Sequence, residues 1–93
     1  CERFDIAIVG GGSAGVAAAV AAARLGAKTV LIERYGFLGG AATNALIMTY
    51  DGFLYRRETP EWAVGGVGRE LLDRLERFGG KVEPVRAPNR NWV

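Results

Sequence analysis

The sequence predicts an α/β fold whose first part is a parallel strand–helix–strand unit. Three observations predict it. Residues 4–9 and 28–32 are short, β-branched apolar runs without polar alternation. Such runs are typical of strands covered on both faces of a parallel sheet. An Ala-rich stretch of helical length lies between them, and a glycine cluster, Gly10-Gly11-Gly12, separates the first run from that stretch. A crossover between two strands of this spacing is right-handed in nearly all cases, so the strands are expected to be parallel.

Element by element, the first strand is Phe-Asp-Ile-Ala-Ile-Val over residues 4–9. A helix follows from Ser13 or Ala14 to Leu25, nearly all Ala with Val16 and Val20, and its small side chains let it lie close against a sheet. Gly26 takes the position after the helix, where a positive φ is common. The second strand ends at Glu33. Residues 34–43 read as a Gly-rich loop, 44–53 as either a short helix or a strand, and 56–66 as irregular, marked by Pro60 and Gly65-Gly66.

From residue 66 to 79 the periodicity predicts an amphipathic helix. Val67, Leu71, Leu72, Leu75 and Phe78 form its apolar stripe. Glu70–Arg74 and Asp73–Arg77 stand at the i,i+4 spacing on its charged face, which reads as ordinary solvated surface. After Lys81 two prolines, Pro84 and Pro88, and no periodicity predict a loop. The expected organisation is a βαβ unit with its following loop over residues 1–45, then a continuation over 46–93. Two strands alone do not make a covered parallel sheet, since sheets average five or six strands. The sequence is expected to be the amino-terminal part of something larger.

Composition narrows the classes. Of 93 residues, 49% are apolar and 24% charged, the balance of a globular domain rather than a disordered or collagenous chain. Twelve Lys+Arg against ten Asp+Glu leave +2, with the arginines interleaved among acids, so no nucleic-acid partner is expected. The chain has no His, which removes the commonest general base and metal ligand, and no metal site is expected. A single cysteine, Cys1, cannot form an internal disulfide, which favours a cytoplasmic location. A Cys at position 1 suggests processing or excision; a lipid-anchored amino terminus is disfavoured because strand sequence begins almost at once. Residues 6–23 carry no charge, but Gly10, Gly11, Gly12 and Gly15 interrupt them. Each glycine costs a helix roughly 1 kcal/mol, so no membrane span is expected.

The chemistry-bearing motif is Gly10-Gly11-Gly12-Ser13-Ala14-Gly15, which fits G-x-G-x-x-G at Gly10, Gly12 and Gly15. In a Gly-rich chain the pattern alone is weak. Its context strengthens it: a strand precedes, a helix follows, and Glu33 ends the next strand near the spacing expected of an acid that holds a ribose. Gly10 is expected to make the tight turn, Gly12 to let a pyrophosphate approach bare backbone, and Gly15 to let the helix pack on the sheet. Amides around Ser13 to Gly15 would bind the pyrophosphate at the helix N-terminus. Glu33 would accept hydrogen bonds from ribose hydroxyls and repel a 2′-phosphate. The plainer reading, a loop and a surface acid, explains position, spacing and flanks less well. The expected fold is therefore a Rossmann-like dinucleotide-binding unit.

The following segment, Glu33-Arg34-Tyr35-Gly36-Phe37-Leu38-Gly39-Gly40-Ala41-Ala42-Thr43-Asn44, resembles the E-R-x-x-x-x-G-G-x-x-T loop of FAD-dependent oxidoreductases. The fumarate reductase/succinate dehydrogenase-like flavoproteins and the broad FAD-dependent oxidoreductase family are most similar. The resemblance is strong over residues 5 to about 44. It continues weakly through Gly65-Gly66 and the Gly-Arg-Glu-Leu-Leu-Asp-Arg-Leu stretch of the later helix. It implies FAD as cofactor, with Gly39-Gly40 beside the pyrophosphate and ribityl chain and Arg34 bordering the adenosine. It also implies that Thr43 and the Ala41 amide reach phosphate or ribityl oxygens. Departures are the missing Cys pair after the glycine doublet, which argues against dithiol chemistry, and the missing His, which leaves covalent attachment through His unsupported.

The implied parent activity is hydride or electron transfer through FAD on an unknown small-molecule substrate. The alternatives are an NAD-binding segment of a dehydrogenase or reductase, and a non-redox flavin scaffold such as a tRNA-modifying flavoprotein. No catalytic residue is assigned. Asn44, Tyr50 and Asp51 follow the flavin-side loop but suit ordinary turn roles, and Trp62 and Trp92 suit core or interface anchors. A homo-oligomer, or the remainder of a larger chain, completes the expected partners. The isolated chain is expected to be inactive and to retain FAD weakly.

Overall fold

The structure, a computed structural model, describes residues 1–80 and 83–87 and divides the chain into two compact units, Cys1–Ile47 and Met48–Val93. In the first unit strand β1 (Ile6–Val9), helix α1 (Ser13–Arg24) and strand β2 (Thr29–Ile32) follow in order. The strands are parallel, with Ile6 opposite Thr29 and Val9 opposite Ile32. The ladder continues beyond both ends: the Asp5 amide donates to the Lys28 carbonyl (2.8 Å) and the Gly10 amide to the Ile32 carbonyl (2.8 Å). The apolar runs at 4–9 and 28–32 therefore take part in pairing over more residues than the regular strands occupy. The Asp5 carboxylate also accepts the Lys28 amide at 2.8 Å, pinning the strand starts together.

Helix α1 forms because eleven of its twelve residues are Ala, Val, Ser or Arg, with no proline, and it packs on both strands. Leu25 caps it and Gly26 at φ 87° turns the chain out. The strand sequences read as covered on both faces, and two strands alone are not expected to supply that cover; Val9 is 81% and Ile32 50% exposed. Within this unit α1 supplies cover made of Ala side chains, which is too little to bury two apolar strands.

The loop expected over 34–43 contains a single helical turn, α2 (Ala41–Asn44). Gly40 at φ 59° reverses the chain, and its carbonyl receives the Thr43 and Asn44 amides (3.3 and 2.9 Å). Residues 45–53, ambiguous between helix and strand, form neither.

In the second unit the stretch expected to be irregular is closed by an antiparallel bridge between Leu54 and Trp62. The Tyr55 amide donates to the Glu61 carbonyl at 2.8 Å, and the Ala63 amide to the Phe53 carbonyl at 2.9 Å. Helix α3 (Gly66–Arg77) follows, with Phe78 as its cap and Gly79 at φ 87°. It lies so close to the bridged loop that a methyl group on Gly68 would come within 3.2 Å of the Phe53 ring and 3.3 Å of Val64. Leu72 is the buried hydrophobic side chain among the described residues, at 8% exposure. Glu70 pairs with Arg74 (2.7 Å) as the spacing predicts, whereas Asp73 pairs with Arg69 (3.1 Å) rather than with Arg77. The Arg69 guanidinium sits 3.8 Å above the Trp62 ring, which makes Trp62 an anchor of this unit. Trp92 lies outside the described residues.

Candidate functional site: the glycine turn and its carboxylate

The turn between β1 and α1 separates the three motif glycines by physical job. Gly10 has φ 98°, a conformation L side chains rarely adopt. A methyl group on Gly15 would stand 1.8 Å from the Gly10 carbonyl oxygen, so α1 can approach the turn only with hydrogen there. A methyl group on Gly12 would meet nothing within 4 Å, and its backbone is extended (φ −69°). The fold itself therefore makes no demand for glycine at 12.

Gly12 is also the N-cap of α1 and has no side chain to satisfy the first-turn amides. Helix geometry leaves those N–H groups, on Ser13, Ala14 and Gly15, without intrahelical acceptors. With the helix dipole behind them, they form a cationic end that suits a phosphate oxygen. No acidic side chain stands in the first turn to oppose an anion.

Glu33 leaves the end of β2 and turns towards this glycine cluster. Its Oε2 accepts the Gly11 amide at 2.6 Å and its Oε1 the Tyr35 amide at 3.0 Å. Those two amides, with smaller contributions from the Arg34 amide and guanidinium, hold its carboxyl below the ordinary carboxylate range. Each carboxylate oxygen has two acceptor positions, so both keep capacity for a sugar hydroxyl. Gly11 itself is buried: a methyl group there would sit 2.5 Å from Leu38 and 3.1 Å from Glu33 Cβ. Leu38 was not singled out by sequence, and a lone Leu in a Gly-rich loop carries no signal for this contact.

The loop after Glu33 folds back onto the turn. The Gly39 amide donates to the Gly11 carbonyl (2.8 Å), Gly12 and Gly39 form a parallel bridge, and Ser13 Oγ donates to the Gly39 carbonyl (3.2 Å). A methyl group on Gly40 would come within 3.1 Å of Gly12 Cα, a backbone-to-backbone approach, whereas one on Gly39 would sit 2.6 Å from the Thr43 side chain. Thr43 also bonds within the loop. Its hydroxyl lies 2.6 Å from the Leu38 carbonyl and 3.2 Å from that of Gly40, so its proton serves the loop. Ala41 opens α2 and is exposed. Arg34 bonds the Tyr35 hydroxyl (2.6 Å) and lies 4.7 Å from that ring's centre, while Tyr35 stacks on Phe37 at 5.7 Å.

The other singled-out polar residues do local work. Asn44 ends α2; in the second unit Asp51 accepts the Gly52 amide (2.8 Å) and Tyr50 meets Phe53 edge to face. Among the described residues no group of three or more metal-ligating side chains occurs, and no helix is long and apolar enough to cross a membrane.

Against known proteins, no solved structure matches this chain. A family model described as FAD dependent oxidoreductase matches residues 5–93. That match covers the turn, the carboxylate and the whole second unit, so the chain belongs to the FAD-dependent oxidoreductase family and its cofactor is FAD.

Proposed function

We propose that this chain is the Rossmann-like FAD-binding segment of a flavoprotein oxidoreductase acting on a small-molecule substrate, similar at this end to the fumarate reductase/succinate dehydrogenase flavoproteins. In this reading the amides of Gly12, Ser13, Ala14 and Gly15 hold the pyrophosphate, with Gly10 making the turn and the Gly11 amide holding Glu33. Glu33 holds the adenosine ribose, and Arg34 borders the adenine side. Gly39, Gly40, Ala41 and Thr43 flank the pyrophosphate and ribityl chain. Bound FAD supplies the hydride and electron transfer; the chain contributes binding and orientation.

The observation that carries the reading is that Gly12 needs no side-chain space for the fold's sake, while Glu33 is held 2.6 Å from the neighbouring Gly11 amide. Bare amides and a fixed carboxylate then stand side by side, as a diphosphate joined to a ribose requires. Titration with FAD and with NADH, followed by fluorescence, tests it. FAD is expected to bind, NADH negligibly, and Gly12→Val to abolish the FAD response. Equal affinity for NADH, or FAD binding indifferent to Gly12→Val, would overturn it.

A further inference from the structure

We propose that Thr43 is a positioning residue for FAD, whose hydroxyl acts through two peptide groups on the Gly12 amide, one of the donors to the pyrophosphate. The proposal rests on the FAD reading of the glycine turn.

Gly40 at φ 59° reverses the chain, and the single turn α2 brings Thr43 back over the loop that precedes it. The Thr43 methyl group packs on Gly39, where a Cβ would stand 2.6 Å from it. The Thr43 hydroxyl donates to the Leu38 carbonyl at 2.6 Å. That carbonyl belongs to the same planar peptide group as the Gly39 N–H, which donates to the Gly11 carbonyl at 2.8 Å. The Gly11 carbonyl belongs in turn to the same peptide group as the Gly12 N–H. Hydroxyl and two peptide groups therefore form one directional series, in which each carbonyl accepts and its own N–H donates onward. Among the described residues the Gly12 N–H has no backbone acceptor, so the series ends on a donor that an anion can take.

Hydrogen bonds in such a series polarise one another, by about 10–30% per bond. Gly11 is buried, and a bond in a low-dielectric setting is electrostatically stronger. Ser13 Oγ holds Gly39 from its other side through the Gly39 carbonyl (3.2 Å), which keeps the series aligned. The single Thr43 proton is spent on Leu38, and phosphate oxygens are acceptors, so the hydroxyl has no donor left for the pyrophosphate itself. Its influence on the cofactor runs through the Gly12 amide.

The test combines nitrogen-15 NMR of the cofactor-free chain with FAD titration, below the thermal midpoint of every variant. Thr43→Val keeps the methyl group against Gly39 and removes the donor. The Gly39 and Gly12 amide nitrogens should both move to lower frequency, and FAD affinity should fall about three- to tenfold, the scale of one neutral hydrogen bond. Thr43→Ser keeps the hydroxyl and should return resonances and affinity towards the parent values. In the parent chain a scalar coupling across the Gly39–Gly11 bond is expected, and its absence overturns the proposal without any variant. So does a Gly12 resonance unmoved in Thr43→Val: with FAD affinity reduced, the hydroxyl touches the cofactor directly, and with affinity unchanged it does neither. Failure of Thr43→Ser to restore affinity would leave a packing role alone and likewise overturn it. Failure of the FAD reading is seen separately, as FAD binding that is absent in the parent chain or indifferent to Gly12→Val, and it takes this proposal with it.

Discussion

The Glu33 carboxylate and the Gly11 amide, 22 positions apart in sequence, meet at 2.6 Å. This contact closes the unit: it ties the end of β2 to the turn after β1, and it presents a charged group beside the amides at the start of α1. On the proposed reading, the same side chain serves both cofactor binding and fold stability.

Glu33→Ala is therefore expected to weaken FAD binding by roughly 10- to 100-fold, the range for losing hydrogen bonds to a charged group. Equilibrium titration with FAD checks this. A loss below twofold would show that the carboxylate does not hold the sugar.

The same carboxyl gives a pH signature. Its pKa is lowered in the folded chain by the Tyr35 and Gly11 amides. A group shifted down stabilises the fold above its unfolded value, and that contribution disappears as pH falls through the folded value. Comparing thermal midpoints of the parent chain and Glu33→Gln from pH 7 to pH 3 should show a gap that narrows towards the acid end. A gap that widens on acidification would contradict the contact.

Two glycines of one motif should respond oppositely. Gly15→Ala places a methyl group 1.8 Å from the Gly10 carbonyl oxygen and should cost about 1–3 kcal/mol of stability by overpacking. Gly12→Ala meets nothing within 4 Å, at a backbone conformation Ala adopts freely. It should leave the free chain as stable, or up to about 1 kcal/mol more so, through reduced freedom of the unfolded chain. Denaturant unfolding without FAD measures both.

Leu46 has φ 52° and an 84% exposed side chain, so it bears left-handed strain with little burial in return. Relief of that strain is worth about 1–2 kcal/mol, less about 0.4–1 for the greater unfolded freedom of glycine. Leu46→Gly should therefore raise stability modestly, read as a higher denaturant midpoint. A lower midpoint would mean that Leu46 makes packing contacts worth more than the strain.

In the second unit, Arg69 joins Trp62 (3.8 Å above its ring) to Asp73 (3.1 Å). Arg69→Ala should destabilise that unit by about 0.5–2 kcal/mol, mostly through the lost ring contact, since exposed ion pairs contribute little. The accompanying change should be visible in tryptophan emission.

What the amino-acid order by itself determined is the βαβ unit, its glycine turn and the later amphipathic helix. These depend on residues within one or two turns of each other: β-branched runs pair, Ala-rich stretches coil, and Gly10 and Gly26 take the positive φ values that end elements. Even the division of labour between Gly10 and Gly15 was legible, because a tight turn and close helix packing both follow from the strand–turn–helix pattern. The return of the loop was not. That Leu38 covers Gly11, that the Thr43 hydroxyl serves Leu38, and that Asp73 chooses Arg69 over Arg77 were decided by tertiary structure. The physical reason is that each is a competition between partners brought close only once the chain has folded back. Spacing names the eligible partners there, and packing chooses among them.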